Sequence, residues 1–442
     1  MELTANQIEF LEKCEEAKRL AFSFKNPLIV HHYDADGIAA GAIAQNAFKL
    51  AGKKYRAKWI KKLDDVAIGE LNGEPEIIFC DLGGGNKRVN ELKDVLIIDH
   101  HQTEGVSKTQ VNPLLDGIDG GTELSAAGAA YCVFKNDVDV AIVGAVGDMQ
   151  HPLTGMNRWV LEQGVGERKI AIENDLGFYG RFSRPLYQFL LYSDDPFVPG
   201  ISYNEDGTNR LLNELGLADG GNRNAVYGDL KEGEKKKLIS ALADILLNYN
   251  MIEKTEALIG ESYVFKNRRR GSETYEANEF STLLNACGRH GKAEIGVGVC
   301  MGDETHSLEA HALLQYHRKK IKEGIEFAQK NIQDFGKFYF LDGRGIIDEG
   351  IIGIVCGMAI SPMAKKPILG FSLGESNDLK FSSRGTKMLI AKGLNLGMAI
   401  KETIAEIGSG AGGGHRIAAG ASIPKEKLNE FLLGMGKRID VK

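Results

Sequence analysis

The stretch NPLIVHHYDADG (26–37) joins a short aliphatic run to a dense set of polar residues. Two later stretches have the same form, EPEIIFCDLGGG (74–85) and DVLIIDHH (94–101). Aliphatic and β-branched runs without polar alternation are typical of strands buried on both faces, which occur in parallel sheets covered by helices. Predicted helical segments follow the first two runs, at 37–52 and 86–94. These stretches predict an α/β fold with a parallel sheet in the first 150 residues.

Polar residues with metal-binding side chains stand at the ends of these runs. In such sheets ligands bind at the carboxyl ends of the strands, so we expect these side chains to lie together. They are His32, Asp34, Asp36, Asp81, Asp99, His100, His101 and, in AIVGAVGDMQ (141–150), Asp148. So many carboxylates and imidazoles at one edge would be strongly unfavourable unless cations lay between them.

The spacing H-x-D-x-D predicts a pair of divalent cations. Alternate residues at a strand end can point the same way and share such a pair, and Asp81 from a neighbouring strand could bridge ions about 3.5–4 Å apart. Carboxylates mixed with imidazoles are softer than Mg²⁺ prefers and harder than copper or zinc usually take, so Mn²⁺ is expected, with Mg²⁺ as the alternative.

Each piece also has an ordinary structural interpretation. DLGGG alone is more often a turn, and Asp148 alone could cap a helix. The adjacent His100 and His101 are harder to explain in that way, because a buried imidazole pair without a ligand is costly. The metal hypothesis therefore depends on the set as a whole.

The remaining chain predicts a second, smaller α/β domain beyond a long helix. Residues 152–303 form an irregular accessory region with a glycine-rich turn at 219–221 and a helix at 233–250. A run of good helix formers at 304–333 predicts a connecting helix. The predicted domains are thus 1–303 (core 1–151, accessory region 152–303), the connecting helix 304–333, and 334–442. In the last, strand-like runs at 337–342, 345–358, 365–373 and 378–384 precede helices around a glycine-rich loop.

The second domain contains candidate substrate contacts. GGGHRIAAG (412–420) offers successive backbone N–H groups before a predicted helix, a phosphate-binding arrangement that includes Gly413 and Gly414, and His415 adds a donor. Arg384 is a further candidate, as are Asn285 and Arg289 in the accessory region.

Composition restricts the class of protein. The six cysteines form no C-x-x-C pair, which argues against a disulfide framework or zinc knuckle. The net charge of −6 is uninformative about polyanion binding, which depends on where the basic residues cluster. No signal-peptide core or membrane-length apolar segment is present, so we expect a cytoplasmic protein that does not bind a membrane.

The motifs resemble a known family. HYDADG (32–37), DLG (81–83), DHH (99–101) and GD (147–148) resemble the four motifs of the DHH phosphoesterases, and GGGHRIAAG resembles the DHHA1 domain. EFSTLLNACGR (279–289) is similar to the motif before the connecting helix in RecJ nucleases. Its sequence is most similar to that of archaeal RecJ-like proteins. In bacterial RecJ and the pyrophosphatases, the first histidine stands further before the first aspartate. His31 therefore remains an alternative to His32, which we favour.

The resemblance implies a role for each site residue. It assigns His32, Asp34 and Asp81 to one metal, and Asp36, Asp81, His100 and Asp148 to the other. Asp99 and His101 would orient imidazoles or contact phosphate, and domain 334–442 would bind the substrate.

The resemblance also implies a function, a RecJ-like exonuclease that degrades single-stranded DNA, or RNA as well, in replication or repair. The partners it implies are single-stranded nucleic acid and a replication or repair protein such as GINS or the Hef helicase. The alternatives are an oligoribonucleotide or cyclic-dinucleotide phosphodiesterase and, without catalysis, a replisome or repair scaffold.

Overall fold

The chain divides into two units in this computed structural model, Met1–His311 and Ala312–Lys442. The structure describes residues 2–193, 196–217, 225–360, 364–374 and 378–439, and the turn predicted at 219–221 lies outside them. Among the described residues, no helix is both long and apolar enough to span a bilayer.

A parallel sheet forms the centre of the first unit. Its strands lie in the order β2-β1-β3-β4-β5, with all neighbours parallel. They are β1 (Leu28–His32), β2 (Arg56–Ile60), β3 (Glu76–Cys80), β4 (Asp94–Ile98) and β5 (Thr109–Val111). The middle strands β1, β3 and β4 are buried along most of their length. The predicted α/β fold with a parallel sheet is therefore confirmed.

Helices cover this sheet. They are α1 (Ala5–Ser23), α2 (Ala35–Leu50), α3 (Asp65–Leu71), α4 (Ala126–Phe134), α5 (Val138–Gly147) and α6 (Gly155–Gly166). On one face, Val30, Phe79 and Ile97 pack with Ile68 and Leu71 of α3. Helices α2, α4 and α5 pack on one another, and α2 also packs on β1.

The accessory region contains a two-stranded antiparallel sheet. Strand β6 (Ile170–Leu176) pairs with β7 (Ile259–Phe265). Residues between them build a separate apolar core from α7 (Leu186–Leu191), α8 (Glu205–Glu214) and α9 (Glu232–Asn248), with α10 (Ile252–Glu256) following. After β7 come α11 (Ala277–Arg289) and α12 (Ala293–Cys300). Residues 177–258 are thus an insertion between two paired strands.

A single helix, α13 (Glu304–Asn331), leads from the first unit into the second. The second unit contains a mixed sheet in the order β12-β13-β11-β10-β9-β8. Its strands are β8 (Gln333–Asp334), β9 (Tyr339–Asp342), β10 (Ile368–Leu373), β11 (Leu379–Arg384), β12 (Ala411–Gly414) and β13 (Ala418–Ile423). Its helices are α14 (Ile352–Ala359), α15 (Lys387–Ala391), α16 (Leu396–Ile407) and α17 (Leu428–Arg438). The rings of Phe371 and Phe381 stack in its core, and the ring of Phe431 packs tilted against Phe381.

Two local predictions in the second unit were wrong. Much of the apolar run 345–358 is the buried helix α14 rather than a strand, because a short apolar run fits a buried helix as well as a buried strand. The glycine run is the edge strand β12, and β13 rather than a helix follows it. Gly412 and Gly414 are required there, because a Cβ at either would come within 2.7 Å of a carbonyl oxygen on β13.

Candidate metal centre

Ends of three parallel strands and two helices bring the predicted polar residues together. His32 ends β1, Asp34 caps α2, and Asp36 lies in its first turn. Asp81 follows β3, and the Asp99–His101 segment follows β4. Asp148 caps the end of α5, so it comes from the end of a helix and not from the segment after a strand. The short apolar run before it is again ambiguous between strand and helix.

A first group consists of His32, Asp34 and Asp81. The Nδ1 of His32 lies 2.9 Å from Oδ2 of Asp34 and 3.3 Å from Oδ2 of Asp81. The other oxygen of Asp34 accepts a hydrogen bond from the amide of Gly37, which fixes the carboxylate at the start of α2.

A second group consists of Asp36, His100 and Asp148. The Nε2 of His100 lies 3.8 Å from Oδ2 of Asp36 and 3.3 Å from Oδ1 of Asp81. The Nδ1 of His100 donates to the carbonyl of Gly120 at 2.7 Å, which leaves the Nε2 lone pair free to face the carboxylates.

Asp81 connects the two groups, because its Oδ2 faces His32 and its Oδ1 faces His100. Its backbone has φ of 64°, a left-handed conformation that aspartate tolerates better than most residues. Its side chain is almost fully buried. This is the position expected of a carboxylate that bridges two cations.

Asp99 holds the DHH segment in shape. Its Oδ1 accepts from the amides of His100 and His101 and from the His101 ring Nδ1 at 2.8 Å, and its Oδ2 accepts from the amide of Gly84. Asp99 is therefore saturated by protein donors, and His101 presents its Nε2 away from it.

The backbone of α4 fixes Asp36. One oxygen of the Asp36 carboxylate accepts from the amide of Ala126 at 2.8 Å and the other from Ala127 at 2.9 Å. These amides belong to the first turn of α4, whose dipole favours a negative charge.

His31 does not belong to the cluster. Its Nδ1 lies 2.8 Å from the carbonyl of His32, and its ring packs so closely on α2 that a Cβ on Gly41 would come within 2.6 Å of it. Burial lowers the pKa of His31 to about 4. Alternate residues of β1 point to opposite faces, so only His32 of the two faces the carboxylates.

The protein groups alone leave this cluster unsatisfied. Within the described residues, His32 Nδ1 and Asp81 Oδ1 are buried and form no hydrogen bond of good geometry, although carboxylate and imidazole atoms lie 2.9–3.3 Å from them. Burial lowers the pKa of His32, but the carboxylates of Asp34 and Asp81 outweigh it and raise the pKa to about 11. Burial first, and then the charge of Asp81, raises the pKa of Asp36 to about 8. Divalent cations would supply the positive charge and the missing partners, so these residues fit a metal pair.

Two buried amides beside Asp148 went unnoticed in the sequence. Gln150 Nε2 donates to Asp148 Oδ2 at 2.8 Å and to the carbonyl of Gly120 at 2.7 Å. Asn157 Nδ2 donates to Gln150 Oε1 at 2.6 Å. The only signal was the position of Gln150 two residues after Asp148. These amides orient Asp148 and the carbonyl that receives His100.

The predicted substrate residues lie in both units. In the first, Asn285 Oδ1 accepts from the amide of Ala35 at 3.1 Å, and the charge of Arg289 interacts with Asp34. In the second, Arg384 Nη1 donates to Ser382 Oγ at 3.0 Å, and His415 is exposed in the turn between β12 and β13. Gly413 and Gly414 lie on β12.

Fold and cluster together define a parallel-sheet protein with a carboxylate–histidine centre suited to two divalent cations. The chain matches the DHH-CID domain family over residues 178–259, nearly the whole insertion between β6 and β7, and the DHHA1 domain family over residues 336–438. The chain therefore carries a DHH-CID domain and a DHHA1 domain, which support its place in the DHH superfamily.

Solved structures share the fold along nearly the whole chain. Manganese-bound RecJ from Thermus thermophilus is 17% identical, with a TM-score of 0.60. The match covers 97% of this chain and 54% of the RecJ chain, so this chain spans about half the length of that RecJ. An exonuclease RecJ bound to manganese is 17% identical with a TM-score of 0.59, and coverage is 100% of this chain and 96% of that one. CDC45 from Entamoeba histolytica is 14% identical with a TM-score of 0.64, and coverage is 97% and 98%.

A curated relative also matches over the full length. It is an uncharacterized protein from Methanocaldococcus jannaschii, 28% identical over 457 residues that cover 97% of this chain and 98% of the relative.

Proposed function

We propose that this protein is a two-metal phosphodiesterase that degrades single-stranded nucleic acid from an end, as a RecJ-like exonuclease acting in replication or repair. The observation that carries the proposal is Asp81, whose two oxygens face the two histidine-containing groups at 3.3 Å each. A carboxylate in this position suits a bridge between paired cations, the arrangement used for in-line displacement at phosphorus.

The ligands are assigned in two sets that share Asp81. His32, Asp34 and Asp81 hold one cation. Asp36, Asp81, His100 and Asp148 hold the other. Mn²⁺ is proposed because the set mixes imidazole with carboxylate, and Mg²⁺ is the alternative. RecJ from Thermus thermophilus has been solved with either ion.

When bound, the metal pair supplies a water of lowered pKa and neutralises the phosphate charge. The side chains do the rest of the work. Asp99 accepts a hydrogen bond from Nδ1 of His101, and this bond raises the pKa of His101. The protonated ring can therefore donate from Nε2 to a phosphate or leaving-group oxygen. Gln150 and Asn157 keep Asp148 in place.

Residues outside the candidate metal centre are proposed to bind the nucleic acid. Arg384 and His415 offer charged or polar donors to phosphate, and Gly413 and Gly414 allow close approach of the backbone. Arg289 is proposed to contact the strand in the first unit. GINS and the Hef helicase are proposed as the kinds of partner to test.

End-labelled oligomers test this proposal. Single-stranded DNA and RNA, labelled at either end, are incubated with Mn²⁺, with Mg²⁺ or with EDTA and resolved by size. We expect stepwise shortening with Mn²⁺, slower shortening with Mg²⁺ and none with EDTA. Hydrolysis that is undiminished in EDTA would exclude the two-metal mechanism.

The same assay separates the alternatives. Activity restricted to dinucleotides, short RNA oligomers or cyclic dinucleotides would favour a small-substrate phosphodiesterase. A scaffold without catalysis is considered because the fold also matches CDC45. The complete set of carboxylates and histidines supports an enzyme instead, since a scaffold has no need to retain such a costly cluster.

A further inference from the structure

Helix α5 ends in an arrangement that normally calls for glycine. The amide of Met149 donates to the carbonyl of Val146 and that of Gln150 to the carbonyl of Ala145, each at 3.1 Å. This is a Schellman motif, and its left-handed position is usually glycine because a Cβ is disfavoured at positive φ. Here the position is Met149, with φ of 60°. The backbone therefore accepts an unfavourable residue.

Packing does not compensate for this choice. The Met149 side chain is 89% exposed, the highest value among the large apolar residues that the structure describes as exposed. A single exposed apolar residue is ordinary on a protein surface. Met149, however, is exposed and lies at a position that favours glycine. Neither packing nor backbone conformation therefore explains why this residue is methionine.

The position of Met149 supplies a reason. It lies directly between Asp148, a member of the candidate metal centre, and Gln150, which is buried and bonded to Asp148. The backbone on both sides is thus held by the cluster. The backbone therefore places an apolar, polarisable side chain at the border of the centre, where a substrate's reacting phosphate would be bound.

We propose that Met149 contacts the nucleobase of the nucleotide whose phosphate is hydrolysed. This inference rests on the proposed function and names the part of the substrate that this side chain recognises. A thioether makes favourable contacts with aromatic rings. Every base has a π-face, so such a contact would bind bases without strong sequence preference.

The test compares Met149→Gly with wild type on two single strands of equal length. One has normal terminal nucleotides, and the other has abasic sites in their place. Wild type should hydrolyse the normal strand with the higher kcat/KM, and Met149→Gly should lose roughly two- to tenfold on it while the abasic rate stays unchanged. Met149→Leu should retain most of the preference.

Stability separates this role from a structural one. Glycine suits the left-handed position, so Met149→Gly should melt at the same temperature as wild type or higher. Arg168→Gly is the matched control, because Arg168 is exposed, has φ of 60° and ends α6 in the same motif. It should leave both rates unchanged.

Three outcomes would overturn the inference. Met149→Gly could keep the full preference for the normal strand, or wild type could show none. Either result would remove Met149 from base recognition and leave the nuclease proposal standing. If wild type hydrolysed neither strand, the proposed function itself would fail, and this inference with it.

Discussion

The side-chain carbonyl of Asn285 accepts a hydrogen bond at 3.1 Å from the backbone amide of Ala35, which opens α2. Ala35 lies between Asp34 and Asp36, one from each half of the candidate metal centre. Helix α11 also approaches closely here, since a Cβ on Gly288 would come within 1.7 Å of a carbonyl oxygen in this segment. Asn285 therefore positions the segment that carries two of the proposed ligands.

Replacing Asn285 should weaken metal binding. Asn285→Ala leaves the amide of Ala35 without its acceptor, at a cost of about 1–3 kcal/mol. We expect lower Mn²⁺ affinity by titration calorimetry and lower turnover, with Asn285→Asp restoring part of both. Asn331→Ala is the control, because that exposed amide donates to a carbonyl of its own helix. Normal Mn²⁺ affinity in Asn285→Ala would show that α2 needs no such support.

Removing Asp81 should cost more metal than removing Asp99. Asp81 faces both groups, whereas protein donors saturate Asp99. We expect Asp81→Ala to lose both Mn²⁺ ions and all activity. Asp99→Ala should keep at least one ion and lose activity through a misplaced His101. Metal content by mass spectrometry decides between them, and equal losses would mean that Asp81 does not bridge.

The strand ends of the first unit could be predicted because each carries its own signal. Uninterrupted aliphatic runs before Asp81 and Asp99 mark buried parallel strands, and the polar residues follow at once. Because side chains alternate between the two faces of a strand, the sequence could not decide in the same way whether His31 or His32 faces the cluster. Which of two adjacent residues faces the cluster depends on strand register, and no residue in the stretch itself reports it.

Other features depend on tertiary context. The run before Asp148 is too short for its periodicity to distinguish a helix from a strand, and the same ambiguity hid α14. The roles of Gln150 and Asn157 depend on contacts with residues far away in sequence. The insertion between β6 and β7 was hidden as well, because strands that pair across more than eighty residues leave no local mark.

Glu279 should make stability depend on pH. Its side chain is fully buried in α11, and burial, then the charge of Glu276, raises its pKa to about 7 from an ordinary 4.5. The folded state therefore holds a proton that the unfolded state releases. The stabilisation is complete below pH 4.5 and is lost as pH rises to about 7.

Glu279→Gln should remove this loss while keeping an acceptor for the amide of Phe182. At pH 8 we expect its free energy of unfolding to exceed that of wild type by on the order of 1–3 kcal/mol, with little difference near pH 5. Urea denaturation at both values measures it. The exposed Glu256→Gln should show no such effect, and a less stable Glu279→Gln at pH 8 would contradict the assignment.

Substitutions in the second unit should impair turnover without removing metal. His415 and Arg384 are proposed to hold phosphate, and neither belongs to the groups of described residues that could bind an ion. A charged hydrogen bond to phosphate is worth about 1.5–3 kcal/mol, so each alanine variant should lower kcat/KM by roughly ten- to a hundredfold. Mn²⁺ content should stay at the wild-type value.

Substrate length distinguishes the two residues. If Arg384 grips the strand, the defect of Arg384→Ala should deepen from a dinucleotide to longer oligomers. If His415 contacts the scissile phosphate, His415→Ala should be impaired on every length, and His415→Asn should recover part of the rate because it keeps a donor. Lys392→Ala on the exposed surface of the same unit is the control. A folded His415→Ala with wild-type kinetics on every substrate would make the glycine-rich hairpin structural, because the close approach of β12 to β13 already requires Gly412 and Gly414.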